Sequence, residues 1–256
     1  MATFKKVNDK DLYVSEPPPQ WFGNSANEID DPAWTNENWL KSRFHLNFAE
    51  HNSGKNQYGV MRVMNDDLVQ PHRGFGTHPH NNMEIVTYIV NGGLTHQDSM
   101  GTQETLHRGG VQFMSAGTGV RHSEFNHCDA PLRFIQMWFL PSQHGLRPNY
   151  GSFKGDADAR RNKLHHLVSD SRGKVDTPVQ ISQDLNMFVS EMDKGESVTY
   201  ELQGGRMVYL LAMEGGLECS GDHGKGALTQ YDAAELSGAN KLTITAGDAG
   251  AHFLLV

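Results

Sequence analysis

The chain has 256 residues, long enough for one large all-β unit or for two domains of about 100 to 150 residues. Thirty acidic against 22 basic side chains give a net charge of −8 with no dense Lys/Arg block, which argues against phosphate-backbone binding as the main activity. Only two cysteines are present, Cys128 and Cys219, so neither a disulfide framework nor a cysteine-rich zinc site is available.

Residues 1 to about 35 are polar and broken by Pro17-Pro18-Pro19 and Pro32, with Trp21 and Trp34 as anchors; this reads as an extended arm wrapped on the first domain. The N-terminus lacks the apolar core of a secretory signal, and no stretch approaches a membrane span, so a soluble intracellular protein without a membrane partner is expected. From about 40 to 140 short β-rich runs alternate with turn signals. Examples are 58–63, then 84–90 closed by Asn91-Gly92-Gly93, then 132–140 closed by Pro141. Many short strands with glycine turns mean a sandwich or barrel. A different composition at roughly 141 to 163 marks the interdomain crossing, and strand signals resume near Val179 and continue to the end. Helix signals are scarce.

Seven of the 14 histidines fall between positions 72 and 127. Two of them form Gly76-Thr77-His78-Pro79-His80, answered some forty residues later by Gly117-Thr118-Gly119-Val120-Arg121-His122-Ser123-Glu124. On a strand, residues i and i+2 share a face, so His78 with His80 makes one claw and His122 with Glu124 another. Three imidazole nitrogens and one carboxylate oxygen suit a divalent transition metal and leave coordination positions open. Pro79 has no N–H and marks a strand start or sheet edge. His72, His96, His107 and His127 read as solvated or turn-bonded residues. Phe75, Met114, Phe125, Met137 and Trp138 read as barrel core, with a few of them lining an apolar pocket above the metal. Gly117-Thr118-Gly119 is followed by no helix pattern or Walker lysine, and no nucleophile elbow or Cys/His pair supports hydrolase chemistry.

An internal repeat at an offset of 123 aligns residues 88–94 with 211–217, each an apolar strand running into a Gly-Gly turn and a leucine. The same offset maps His78, His80, His122 and Glu124 onto Glu201, Gln203, Thr245 and Gly247. The fold is therefore expected twice and the metal site once, with the N-terminal arm and metal-binding domain at 1–145 and the crossing with a metal-free domain at 146–256.

The runs Phe75-Gly76-Thr77-His78-Pro79-His80, Met83-Glu84-Ile85-Val86-Thr87-Tyr88, His96-Gln97-Asp98-Ser99-Met100-Gly101 and Met114 to Glu124 resemble the first cupin of the pirin family, with weaker similarity through most of the chain. The resemblance implies an all-β bicupin, two jelly-roll-like β-barrels face to face with few short helices. It implies one divalent ion in the N-terminal barrel, Fe(II) first, with Zn, Mn, Ni, Co or Cu as alternatives, held by the residues matching His78, His80, His122 and Glu124. Some pirins are similar in activity to quercetin 2,3-dioxygenases, which implies a small aromatic enol and dioxygen as partners; Glu124 or Glu84 is then expected to take the substrate proton. Others are described as nuclear metal-dependent co-regulators, which implies a redox-sensing module with a protein partner and no turnover. A monomer suffices, cytoplasmic, or nuclear in a eukaryote. Many cupins supply their metal-binding glutamate near the position of Glu84, the competitor to Glu124; straight strand geometry puts Glu84 about 13 Å from His80 and makes it a support for a ligand histidine instead.

Overall fold

Every residue from Glu84 to Val90 is buried, and that unbroken run decides how the layers stack. A strand covered on both faces needs apolar side chains on both. Val86, Tyr88 and Val90 enter a core shared by the two halves of the chain, while Ile85 and Ile89 point into the first half alone. The computed structural model behind this description covers residues 2–25, 39–52 and 54–256; Pro32 and Trp34 of the expected arm lie outside the described residues.

Among the described residues the strands form three sheets. A seven-stranded sheet runs from Asn149–Phe153 through Val111–Ser115, Glu84–Asn91, Leu132–Phe139, Met61–Val69 and Leu40–Phe44 to Tyr13–Ser15. A four-stranded sheet, in the order Gly74–His80, Val120–Phe125, Gly93–Asp98, Gln103–His107, closes over one of its faces to complete the first lobe. The second lobe is a nine-stranded sheet built on two 15-residue strands, Met207–Gly221 and Lys241–Leu255. The α-helix described, Ala157–Arg160, lies between the lobes, so helix is as scarce as the sequence suggests.

The Gly-Gly pairs of the repeat are corners rather than turns. After Gly92 (φ +83°) the chain stays extended but leaves the seven-stranded sheet for the four-stranded one, and Met207–Gly221 runs through Gly215 (φ +70°) without a break. A left-handed φ bends a strand so that it switches sheets, and a side chain at either glycine would strike a carbonyl, of Pro131 or Gly250.

The arm also departs from expectation. Tyr13–Ser15 does extend the first lobe by pairing with Leu40–Phe44, but Thr3–Val7 pairs antiparallel with Ala233–Ser237 and edges the sheet of the second lobe. Phe4 packs on the second lobe's core, and Lys6 reaches Asp232 at 2.7 Å. An exposed sheet edge is a template for pairing, and this segment caps one.

The lobes meet through apolar side chains from both, among them Met137, Phe139, Met187, Val189 and Leu211. Burying each such side chain contributes roughly 1.5–3 kcal/mol, so the junction is core rather than a docking contact. Polar groups within it are paired across the lobes. Tyr88 Oη donates to His252 Nε2 (2.8 Å), and Tyr209 Oη meets His45 Nδ1 (2.9 Å). Arg133 forks onto Asp66 (2.8 and 2.6 Å) and donates to the Met213 carbonyl (2.7 Å). Glu214 receives His252 Nδ1 (2.8 Å) and Arg108.

Burial alone would raise the Glu214 carboxyl, but hydrogen bonds from His252 and Arg108 outweigh it and hold the group at about 2. A carboxylate held lower in the folded than in the unfolded chain stabilises above its ordinary range, and that contribution is lost as pH falls from about 4.5 toward 2. Glu214→Gln is expected to flatten the acid limb of the denaturant midpoint in that window. A variant whose midpoint falls as steeply as that of the parent would disprove the assignment.

Candidate metal centre

Strand Gly74–His80 lies at the edge of its sheet, where Pro79 costs no ladder hydrogen bond. Its neighbour Val120–Phe125 runs antiparallel, with His122 opposite His78 and Val120 opposite His80. A β-bulge follows: Glu124 faces Phe75, so three steps on one strand answer two on the other. On its far side the same strand sets His122 opposite Asp98 and Glu124 opposite His96. Burial alternates along it, with Val120, His122 and Glu124 buried and Arg121 and Ser123 turned outward, which is the i, i+2 parity read from the sequence.

The side chains form two close groups that share His122. One is His78, His80 and His122; the other is His96, His122 and Glu124. His78 Nε2 and His122 Nε2 stand 3.0 Å apart, and the His80 ring centroid lies 4.7 and 4.9 Å from those of His78 and His122. Among the described residues, every group of three or more such ligand atoms within reach of one ion lies in the first lobe. Glu84 stands apart from both groups, buried where it accepts from Ser115 Oγ (2.8 Å) and the Ser182 backbone (3.4 Å), so it supports no ligand histidine.

Hydrogen bonding sets the tautomers. His78 Nδ1–H donates to the Gly76 carbonyl at 2.8 Å, leaving Nε2 as a lone pair. His96 Nε2–H donates to Asp98 at 2.9 Å, which leaves His96 Nδ1 as an acceptor; the single ring proton of neutral His122 goes either to it at 3.4 Å or to His78 Nε2 at 3.0 Å. With that proton on Nδ1, the Nε2 lone pairs of His78 and His122 converge at 3.0 Å, and an ion between them takes the place that the proton holds in the alternative tautomer. Two nitrogens each about 2.1 Å from one ion and at right angles would sit about 3.0 Å apart, so the donor set fits a transition metal.

Burial keeps the imidazoles neutral. It lowers His78 and, with the neighbouring His78, takes His80 down to about 4; His122, buried and crowded by His78, His80 and His96, falls to about 2. Burial pushes Glu124 up to about 7 against the hydrogen bonds it accepts. Those come from Gln112 Nε2 to Oε1 (2.8 Å), Gln136 Nε2 to Oε2 (2.8 Å) and, longer, Thr87 Oγ1 (3.5 Å).

His78, His80 and Glu124 line a cavity of about 230 Å³ between the two sheets of the first lobe. Six Phe and Trp side chains line it, Phe44, Phe48, Phe75 and Trp138 with Phe22 and Trp21 from the arm, and Glu50, Asn65, Asp67 and Gln136 add polar groups. Phe75 and Trp138 are thus pocket residues; Met114 and Met137 are core, and Phe125 stacks outside on His127. His96 departs from the solvated reading, being fully buried against His122. Its signal was the same parity: His96 and Asp98 share a strand face, as a pre-oriented pair must. Gln112 and Gln136 also escaped notice, although each is an isolated amide in an apolar run.

An all-β chain of two facing lobes with a histidine cluster inside the first is a two-cupin protein. Residues 28–139 match the Pirin family model, and residues 167–256 match the quercetinase C-terminal cupin domain. A pirin-like protein of Caulobacter vibrioides is 36% identical over 209 residues, 81% of this chain and 88% of that one. The quercetin 2,3-dioxygenase of Escherichia coli K12 is 35% identical over 188 residues, 73% and 79% of the respective chains. The crystal structure of the bacterial pirin YhhW from Escherichia coli in complex with nickel(II) superposes with a TM-score of 0.79 at 26% identity, covering 99% of this chain and 97% of that one. The chain belongs to the pirin family.

Proposed function

We propose that this protein is a metal-dependent dioxygenase of flavonol-type aromatic enols, with one divalent transition metal held by His78, His80, His122 and Glu124. The observation that carries the reading is the convergence of His78 Nε2 and His122 Nε2 to 3.0 Å with His80 beside them, next to a cavity that His78, His80 and Glu124 line. Relatives named quercetin 2,3-dioxygenase and a nickel(II)-bound relative support it. Iron(II) is the metal we favour, because dioxygen chemistry asks for a redox-active ion with open positions. The division near residue 145 holds for the site, all of whose residues fall in 1–145, whereas strand Asn149–Phe153 extends the first lobe's sheet past it and strand Thr3–Val7 is lent across to the second lobe.

When bound, the ion supplies Lewis acidity and a template for the enol oxygen and dioxygen. The protein's own part is ligand geometry and dryness. Gly76 and His96 hold the tautomers that present His78 Nε2 and His122 Nε2. The aromatic walls exclude water and hold a flat substrate. Glu124, fixed by Gln112 and Gln136, takes the proton of the substrate hydroxyl.

The deciding experiment is purification under anaerobic conditions without chelators, metal quantification, and oxygen uptake across a panel of flavonols. One ion per chain and metal-dependent uptake are expected. A fully loaded protein that turns over no flavonol would sink the dioxygenase reading. Gln136→Leu removes a donor from Glu124 and is expected to weaken metal binding roughly 10–100-fold, read by competition with a chelating dye.

A further inference from the structure

Four polar side chains form one row across neighbouring strands of the seven-stranded sheet. Gln112 faces Thr87, Thr87 faces Gln136, and Gln136 faces Asn65, with Phe44 beyond. The first three hold Glu124. Asn65 is 4% exposed, lines the cavity, and its Oδ1 has no hydrogen-bond partner. A buried amide oxygen left unpaired costs about 1–3 kcal/mol, so it persists where something else satisfies it. Trp138, edge-on to His80 at 4.8 Å and on the same cavity wall, has a buried Nε1–H that is equally unpartnered. Two residues along from Asn65, on the same strand face, Asp67 is buried with a hydrogen bond from Ser42 as its side-chain contact, and both line the cavity.

We propose that Asn65 and Trp138, with Asp67 beside them, form a hydrogen-bonding subsite that selects substrates by a ring hydroxyl: on ligand entry both side chains turn their closed-off polar atoms to the cavity, the hydroxyl donates to Asn65 Oδ1, and an oxygen of the ligand accepts from Trp138 Nε1. The inference rests on the dioxygenase reading for its location and deepens it by naming the feature recognised. Asn65 and Trp138 are specificity residues here, with no part in bond making. Burial, opposed by the Ser42 hydrogen bond and reinforced by Asp66 and Glu124, raises the Asp67 carboxyl on the same wall to about 8. Ligands matching this set are oxygenated aromatics with adjacent donor and acceptor oxygens. A bare aromatic ring would fill the cavity and leave the polar groups unpaired.

The test uses metal-loaded full-length protein, the variants Asn65→Leu and Trp138→Phe, and three probes: quercetin, catechol and toluene. Dissociation constants are measured by calorimetry, melting temperature without ligand, and oxygen uptake with quercetin. Catechol and quercetin are expected to bind each variant about five- to tenfold more weakly, the worth of one neutral hydrogen bond, while toluene binds equally well or better. Asn65→Leu should melt no lower than the parent, because an apolar side chain of similar shape replaces an unpaired amide. Unchanged catechol affinity, equal losses for catechol and toluene, or a parent protein that binds neither catechol nor quercetin overturns the subsite. Quercetin turnover with unaltered probe binding leaves the dioxygenase and removes the subsite. Hydroxyl-selective binding without any turnover does the reverse.

Discussion

His122→Ala is expected to leave a folded protein that holds no metal and consumes no oxygen with quercetin. Among the three clustered imidazoles His122 is the shared one: its Nε2 faces His78, its Nδ1 bonds to His96, and it belongs to both close groups. Loss of an outer hydrogen-bond partner already costs a site roughly 10–100-fold in metal affinity, so loss of a ligand should exceed that. The fold should tolerate the change, since among the described residues the His122 side chain hydrogen-bonds only to neighbouring imidazoles, His78 at 3.0 Å and His96 at 3.4 Å. Metal analysis after dialysis, a melting curve without metal, and an oxygen electrode read the three consequences separately. Full metal content in His122→Ala would overturn the ligand assignment, whereas loss of activity with metal retained would move His122 from holding the ion to arranging the substrate.

Arg133→Ala should produce the largest loss of stability. The guanidinium and its partner Asp66 are both buried, the carboxylate fully, and one remaining N–H caps the Met213 carbonyl in the other lobe. Truncation leaves a buried carboxylate without a counter-charge and an open gap between the lobes, a change that costs about 3–5 kcal/mol. For a chain of this size that corresponds to a melting temperature lower by roughly 6–20 °C. Removing both charges is a different matter, because an apolar pair of similar volume escapes the desolvation penalty; Arg133→Met with Asp66→Leu should recover most of the loss. A double variant as unstable as Arg133→Ala would mean that shape, and not the unpaired charge, sets the cost.

The claws were legible because parity on a strand is a local property. His78, His80, His122 and Glu124 show their shared face in i, i+2 spacing alone, and Pro79 announces a sheet edge for equally local reasons. The repeat was also legible, but the role of its glycines was not. A Gly-Gly pair reads identically as a hairpin and as a bend, and the choice depends on whether Pro131 and Gly250 lie against it, which is a fact about distant chain. For the same reason the pairing of Thr3–Val7 with Ala233–Ser237 left no trace in either segment. His96 was misread because a histidine's burial depends on the neighbour across the sheet, here Glu124, and not on its own sequence surroundings. Asn65 is quieter still, one amide within Met61–Val69 whose meaning lies in the Gln136 opposite.

The strand that edges the second lobe also sets an order of events during synthesis. Of the strands described, Thr3–Val7 is made first, yet the residues it pairs with, Ala233–Ser237, follow more than 220 positions later. Its backbone groups therefore wait through the making of the whole metal-site lobe, and this edge of the second lobe's sheet is closed only when Thr3–Val7 meets Ala233–Ser237. Contacts of such sequence separation are slow to form and leave an unpaired edge open in the meantime. A change that disrupts Thr3–Val7 thus burdens the second lobe, and poor yield from it would report on sheet closure and not on the metal centre.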